Sequence, residues 1–141
     1  MRRVLSEQVE LDDDPARIDV DAVHAYLSHE SYWARGRSHA QIAQTIAAAA
    51  RVVGLYDGSR QIGFARIISD GVHVAHLCDV YVLDRYRGRG FGVELVREAV
   101  DDGPHAALNW TLATNDAHGL YARFGFTHPN PQLMQRRGTK R

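Results

Sequence analysis

The chain has 141 residues, 45% of them hydrophobic and 24% charged, which predicts one globular domain with a single core. Its seventeen basic residues balance seventeen acidic ones, so we expect neither nucleic-acid binding nor attachment to an anionic membrane. The single cysteine, Cys78, excludes an internal disulfide, and we find no apolar leader or long apolar run, so we expect a cytoplasmic protein.

The N-terminal third of the sequence predicts one strand followed by two helices. Residues 1–10 can form an edge strand, which the run of acids and proline at 12–15 ends. Apolar residues then recur at helical spacing over 19–29. After a turn over 31–37, an alanine-rich segment of high helix propensity, 38–50, predicts the second helix.

Beyond residue 50 the period of the apolar residues changes to two. Three strands are predicted, 52–56, 61–68 and 73–83, with the turn pairs Asp57-Gly58 and Asp70-Gly71 between them. These second to fourth strands should form an antiparallel meander. A helix from residue 91 to about residue 102 then leads to a fifth strand, 108–112, which should lie parallel to the fourth because a helix intervenes. A short helix follows over 117–124.

The segment from Asp79 to Gly92 is the most informative part of the sequence. A β-branched run leads there into a loop that opens a helix, and the loop carries Arg85, Arg87, Gly88, Arg89, Gly90 and Gly92. Glycines let backbone N–H groups approach an anion, the helix start adds a positive dipole, and the arginines add mobile cations. The segment therefore predicts a pyrophosphate cradle.

Three kinds of glycine-rich loop compete for this segment, and spacing separates them. A P-loop needs G-x-x-x-x-G-K-[ST], which the sequence lacks. A dinucleotide fingerprint needs G-x-G-x-x-G and an acid about 20 residues later, but the glycines follow G-x-G-x-G and Leu108 occupies that place. The pattern R-x-x-G-x-G fits twice, as Arg85-Gly88-Gly90 and as Arg87-Gly90-Gly92. At this loop the chain resembles the GCN5-related N-acetyltransferase (GNAT) family, whose members hold the pyrophosphate of acetyl-coenzyme A there.

A second segment, from Leu112 to Phe126, resembles the closing strand-to-helix unit of the same family. It has an asparagine near the helix start, Asn115, a tyrosine further along the helix, Tyr121, and a terminal Gly-Phe pair. Both segments occur in the order that the family shows. The resemblance covers the chain from Arg51 to Phe126.

This resemblance implies a fold and an activity. The fold class is α/β (α+β), a mixed, mostly antiparallel sheet of about six to seven strands with helices on both faces and a splayed parallel pair between the fourth and fifth strands. The activity is transfer of an acetyl group from acetyl-CoA to a primary amine by direct attack in a ternary complex. The acceptor is a small molecule or a peptide. Residues 1–141 then form one acetyltransferase-like domain, and because family members often dimerise we expect a homodimer.

The resemblance also implies the contacts to the coenzyme. Where the fourth and fifth strands splay apart, the backbone of Val80, Tyr81 and Val82 is free to bond the pantetheine amides and the thioester carbonyl. The cradle and the closing helix complete the implied site with Arg85, Arg87, Gly88, Arg89, Gly90, Phe91, Gly92, Asn115, Ala117 and Tyr121. Asn115 has an alternative role as the N-cap of the closing helix.

The catalytic candidates are Tyr121, Asp79 and His76. Tyr121 matches the family position whose hydroxyl lies near the coenzyme sulfur and protonates the thiolate, although its ring could instead only pack in the core. For the base, Asp79 fits by residue type and His76 by its titration near neutrality. Strict alternation along the fourth strand places these two on opposite faces. Either could be structural, Asp79 as a buried acceptor for a loop arginine, and water could take the proton instead.

Acceptor recognition in the family comes largely from the first two helices and their connection. That region holds Glu30, Tyr32 and Trp33, which suit a cationic amine with an apolar body. The aromatic pair could equally be a hydrophobic staple between the helices. His118 lies on the same helix face as Tyr121 and joins this substrate group, or it bonds a backbone group near the helix start.

Two other functions stay open at this point. One is a non-catalytic acyl-CoA binding or sensor module that keeps the cradle, and the other is a phosphate-anchored nucleotide binder. The chain has eight histidines, but no pair has the H-x-x-x-H spacing of a helical metal site. We therefore expect no bound metal.

Overall fold

A computed structural model describes residues 1–128 and 131–138 of the chain. Within these residues the strands are β1 (Arg2–Val4), β2 (Val9–Asp12), β3 (Arg51–Asp57), β4 (Arg60–Ser69), β5 (Val74–Val82) and β6 (Asn109–Thr111). The helices are α1 (Val20–His29), α2 (His39–Ala48), α3 (Phe91–Ala99) and α4 (His118–Ala122). No helix of the described part is long and apolar enough to cross a membrane.

The six strands form one sheet in chain order, from β1 at one edge to β6 at the other. Neighbouring strands from β1 to β5 are antiparallel, and β5 and β6 are parallel. This arrangement confirms the predicted mixed, mostly antiparallel sheet. The single N-terminal strand is a correction, because residues 1–12 form a hairpin of two short strands. The predicted fourth and fifth strands are therefore β5 and β6.

Both long N-terminal helices begin at a side-chain cap. The carboxylate of Asp19 accepts a hydrogen bond from the Ala22 N–H at the start of α1. At the start of α2 the Ser38 hydroxyl accepts from the Gln41 N–H, and the Gln41 side chain accepts from the Ser38 N–H. This capping box stabilises the helix start and fixes Ser38 as the N-cap of α2.

Helices cover both faces of the sheet, as predicted. On one face Leu95 and Val96 of α3 pack against Leu55 and Ile67, in a cluster that also holds Tyr121. On the other face α1 and α2 pack against the sheet through Val23, Leu27, Ile42, Phe64 and Tyr81. The core therefore has two apolar layers with the sheet between them.

The parallel pairing of β5 with β6 is short. It covers three residue pairs, from Val74 with Asn109 to His76 with Thr111. The remaining edge of β5 has no strand partner among the described residues, so the two strands separate as the prediction required.

A β-bulge interrupts β5 just beyond this point. Cys78 pairs with Arg66 and Tyr81 pairs with Phe64, so Asp79 and Val80 together lie opposite one residue of β4. Asp79 has a φ of +59°, a left-handed conformation that aspartate tolerates better than most residues. The bulge turns the Asp79 side chain out of the regular alternation.

Buried tyrosines should make the fold sensitive to alkali. Burial raises the pKa of Tyr56 to about 12 and that of Tyr121 to about 12, and it also raises the pKa of Tyr81. An unfolded tyrosine titrates near pH 10, so this stabilisation is complete below pH 10 and is lost as the pH rises toward 12. We expect the free energy of unfolding to fall by about 1 kcal/mol per buried tyrosine between pH 10 and 11 in urea titrations.

Tyr56→Phe is the control for this alkaline loss. The Tyr56 hydroxyl is buried and has no hydrogen-bond partner among the described residues, so the variant should be at least as stable at pH 7. It should lose less stability than the parent above pH 10. An identical pH dependence in both proteins would contradict the assignment.

Candidate active site

A cavity of about 250 Å³ lies where β5 and β6 separate. Its walls come from four places in the chain: the connection between α1 and α2, strand β5, the segment after β6, and α4. The lining residues are Tyr32, Trp33, Arg37, His76, Leu77, Cys78, Asp79, Val80, Leu112, Ala113, Thr114, Asp116, Ala117 and Tyr121. All three catalytic candidates therefore face one space.

Asp79 is the carboxylate of a buried cluster of charged side chains. Its side chain is 1% exposed and accepts hydrogen bonds from Arg66 Nε at 2.8 Å, from Arg37 Nη1 at 3.1 Å and from Trp33 Nε1 at 3.1 Å. In the predicted structural role of Asp79, a loop arginine is the partner of this carboxylate. The partners are instead Arg66 of β4 and Arg37 of the helix connection, so both carboxylate oxygens are already occupied.

The expectation that His76 and Asp79 point to opposite faces is wrong. Arg66 and the residue that pairs with His76, Ile68, have the same parity on β4, so His76 lies on the face of the sheet that Arg66 occupies. Asp79 bonds to Arg66 and therefore lies on that face too. Strand alternation fails here because the bulge at Asp79 adds one residue to β5.

His76 lies half-buried at the point where β5 and β6 separate. Its Nδ1 is 2.7 Å from Thr111 Oγ1, and its Nε2 has no hydrogen-bond partner in the described part of the chain. Burial, reinforced by the charge of Arg66, lowers the pKa of His76, while Asp79 opposes this shift. At neutral pH the ring is neutral and can accept a proton at Nε2.

Tyr121 places its ring in the core and its hydroxyl at the cavity. The ring packs edge-on against Phe126, with the ring centres 6.1 Å apart. The hydroxyl makes no hydrogen bond to the described residues and keeps solvent access at the cavity wall. Burial, with smaller contributions from Tyr32 and Asp116, raises the pKa of Tyr121 to about 12. The group is a neutral proton donor throughout the ordinary pH range.

The glycine loop has the backbone that its sequence requires. Gly88 and Gly90 have φ values of +80° and +82°, which side-chain-bearing residues rarely adopt, and Gly90 is the N-cap of α3. A Cβ atom at either position would meet no protein atom within 4 Å. The loop is therefore open toward solvent, while buried Phe91 anchors the helix that follows.

The three loop arginines do different things. The Arg87 guanidinium donates to the Val82 carbonyl at 3.0 Å and to the Tyr26 hydroxyl at 2.9 Å, so it ties the loop to the end of β5 and to α1. Arg85 and Arg89 are exposed beside the ring of Tyr86. These two are the arginines that a bound anion can recruit at the least cost to the fold.

The helix connection forms one wall of the cavity. Tyr32 and Trp33 are 43% and 38% exposed, and their ring centres are 5.0 Å apart. They are not a buried staple between helices. The Tyr32 hydroxyl accepts from the Asn115 N–H at 2.7 Å, which joins this wall to the segment before α4.

The other predicted site residues lie at the edge of the cavity or outside it. Asn115 is exposed and does not cap α4, whose N-cap is Ala117. Glu30 ends α1 and does not line the cavity. His118 is also outside the lining, with its ring 5.6 Å from that of His128. The described residues include no group of three or more side chains placed to hold a metal ion.

Known proteins resemble this chain in sequence and in fold. A sequence model of the acetyltransferase (GNAT) family matches residues 14–126. The chain belongs to the GNAT family. A protein of Gibberella zeae named as an acetyltransferase is 30% identical, in a match that covers 74% of this chain and 71% of the relative.

Solved GNAT structures extend the comparison to the fold. A GNAT-family protein from Xanthomonas campestris pv. campestris is 40% identical, with a TM-score of 0.87 over 94% of each chain. Glucosamine-6-phosphate N-acetyltransferase from Arabidopsis thaliana is 11% identical and shows the fold alone, with a TM-score of 0.64 over 92% of this chain and 99% of its own. The chain is thus a GNAT acetyltransferase with the GNAT sheet.

Several site residues were not predicted from the sequence. No local sequence pattern marks Arg37, Thr111 or Asp116, because polar residues in connections and at strand ends are common. A local pattern does mark Arg66, since it is a single charged residue with buried residues on both sides in β4. Buried arginines are almost always paired, so its partner could have been sought on a neighbouring strand.

Proposed function

We propose that this GNAT protein is an N-acetyltransferase that moves the acetyl group of acetyl-CoA to a primary amine by direct attack in a ternary complex. The observation that carries the proposal is the joint placement of His76 and Tyr121 on one cavity beside the open edge of β5. One group is a neutral acceptor and the other a neutral donor at pH 7. Aminolysis of a thioester is accelerated by such a pair, an acceptor for the amine proton and a donor for the departing thiolate.

The glycine loop fits the pyrophosphate of the coenzyme. Gly88 and Gly90 put no side chain into the loop and leave space where a Cβ would stand. Exposed Arg85 and Arg89 supply charge, and the start of α3 points its positive dipole end at the same place. The loop is therefore shaped and charged for a diphosphate.

The open edge of β5 fits the pantetheine arm. Because the pairing with β6 ends at His76, backbone groups of Val80 and the Val82 N–H on that edge are candidates for amide hydrogen bonds, while the Val82 carbonyl already accepts from Arg87. Tyr81 pairs with Phe64 two positions from the Leu83–Ile62 hydrogen bond, so its backbone groups turn toward β4, which corrects the expectation for this residue. The coenzyme supplies a thioester, whose carbonyl carbon accepts the amine and whose thiolate leaves. The bulge at Asp79 sets the direction of this edge.

The two proton transfers are assigned to separate residues. His76 Nε2 takes the proton that the amine loses, and Thr111 holds the ring through Nδ1. The Tyr121 hydroxyl gives a proton to the departing thiolate. We prefer His76 to Asp79 as the base because both oxygens of Asp79 already accept from arginines and Trp33.

Isothermal titration with acetyl-CoA tests the cradle directly. The parent should bind, and the double variant Arg85→Gln with Arg89→Gln should bind at least about tenfold more weakly, because each lost charge-assisted phosphate contact costs roughly a factor of ten. The control is Arg2→Gln, since Arg2 is exposed on β1 at the far edge of the sheet. It should bind like the parent.

Two results would go against the proposal. If the parent does not bind acetyl-CoA at millimolar concentration, the coenzyme assignment is wrong. If it binds but acetylates no member of a broad panel of primary amines, amino acids, polyamines, aminoglycosides and peptide N-termini, then the protein is an acyl-CoA binding or sensor module. Cytoplasmic location and a homodimer stay predictions from the sequence.

A further inference from the structure

The buried carboxylate of Asp79 joins the two halves of the site. It lies on the bulge of β5, beside the edge proposed to bind the thioester, and it bonds to Trp33 and Arg37 of the helix connection that forms one wall of the cavity. We propose that Asp79 is a positioning residue that holds the helix connection, residues 31–38, against the bulge, and that it takes no proton from the amine. This inference rests on the proposed function.

The carboxylate of Asp79 bonds to the sheet and to the connection at the same time. Oδ2 accepts from Arg66 Nε at 2.8 Å, which fixes the carboxylate to β4. Oδ1 accepts from Trp33 Nε1 at 3.1 Å and from Arg37 Nη1 at 3.1 Å. Oδ2 also accepts from Arg37 Nη1 at 3.2 Å, so the carboxylate is bonded to the sheet through Oδ2 and to the connection through both oxygens.

Apart from buried Ala34, which packs in the core with Phe64 and Tyr81, the connection has few other ties to the sheet. It contains neither helix nor strand, and its internal bonds run to α1: the Ser31 hydroxyl donates to the Leu27 carbonyl at 2.6 Å, and the Ser28 hydroxyl donates to the Arg37 carbonyl. Tyr32 adds its bond to Asn115. The bonds to Asp79 thus determine where the Trp33 ring stands in the cavity wall.

A role as proton acceptor conflicts with this geometry. A proton on either oxygen would remove an acceptor position and leave Arg37 and Arg66 around an uncharged group. Arg66 is buried, and an unpaired buried guanidinium is strongly unfavourable. His76, on the same face and with Nε2 unoccupied by the described residues, has no such obstacle.

Asp79→Asn separates the two roles, because it keeps the shape and removes the charge. We expect the KM for the acceptor to rise about tenfold, with kcat within about threefold of the parent and the acidic limb of the pH profile in place. The Kd for acetyl-CoA should change little. A fall in kcat of about 10²-fold or more with loss of the acidic limb would make Asp79 the base and overturn the inference.

A second readout needs no turnover and therefore separates failure of this inference from failure of the proposed function. The chain has two tryptophans, so in a Trp110→Phe background Trp33 is the only fluorophore of its kind. Asp79→Asn in that background should shift the Trp33 emission to longer wavelength and raise its quenching by iodide about twofold or more. Unchanged emission and quenching would overturn the inference.

Glu98→Gln is the control variant for the general effect of losing a buried ion pair. Glu98 accepts from Arg51 Nη2 at 2.8 Å, is buried like Asp79, and does not line the cavity. It should lose stability as Asp79→Asn does, without a change in acceptor KM or Trp33 quenching. Equal changes in both variants would show a general loosening and overturn the inference. If Asp79→Asn does not fold, Trp33→Phe decides, and an unchanged acceptor KM overturns it.

Discussion

Replacing Tyr121 by phenylalanine should lower kcat by roughly 10- to 10⁴-fold, the span expected when a positioned general acid is removed. The Kd for acetyl-CoA and the fold should be retained, because the ring still packs on Phe126 and the hydroxyl makes no hydrogen bond to the described residues. A fall in kcat together with an unchanged melting temperature is the signature of a proton donor at the cavity.

The pH profile gives this prediction a second measurement. With a pKa of about 12 in the folded protein, Tyr121 stays protonated through the ordinary assay range and loses its proton only as the pH approaches 12. The parent should therefore show no alkaline limb from this group below about pH 11.

Tyr56→Phe is the matched substitution for Tyr121→Phe. Tyr56 is also a buried tyrosine with a pKa raised to about 12, but it does not line the cavity. Its kcat should equal that of the parent. If Tyr121→Phe also keeps the parental kcat on a verified acceptor, Tyr121 belongs to the core alone.

His76→Asn should lower kcat/KM by about 10²- to 10⁴-fold, the range for loss of a general base. Asparagine can retain the hydrogen bond to Thr111 that His76 makes through Nδ1, but it has no counterpart of Nε2. Since the pKa of His76 is lowered, the parent should lose activity as the pH falls through a value below 6.5, where the ring becomes protonated. The variant should lack this acidic limb.

Thr111→Val separates the orientation of His76 from its basicity. It removes the hydroxyl partner of Nδ1 and leaves Nε2 in place. We expect a smaller loss of kcat/KM, about tenfold, with the acidic limb of the pH profile still present.

The His76→Asn variant also has a result that would contradict the assignment. If it keeps the parental kcat/KM and the acidic limb of the pH profile, water and not His76 takes the proton of the amine.

The sheet and the backbone of the glycine loop follow from short-range patterns in the sequence. Period-two segments with Asp-Gly turns predict the meander β3–β5, and a glycine loop before a helix predicts the anion site. These patterns depend only on residues close together in the chain. The N-terminal hairpin was missed because β1 and β2 are three and four residues long, too short to show a period.

The arrangement inside the site depends on contacts that distant residues make. The bulge at Asp79 changes the face to which every later β5 side chain points. No residue nearby in the sequence predicts the bulge, because aspartate is tolerated at positive φ but is not required there. Arg37 is 42 positions away from Asp79 in the sequence and meets it only in the fold. The sequence could therefore name candidates for the site, but it could not predict their mutual geometry.

The short pairing of β5 with β6 also bears on aggregation. An unpaired strand edge normally invites a strand from another chain to add to the sheet. Here the edge is interrupted by the bulge at Asp79, and it faces a narrow cleft walled by Leu112, Thr114 and Tyr121. A flexible pantetheine-like arm can enter such a cleft, whereas a regular strand cannot form continuous hydrogen bonds with an edge that the bulge interrupts. We therefore expect the same irregularity that leaves this edge open to a small ligand to disfavour edge-to-edge self-association.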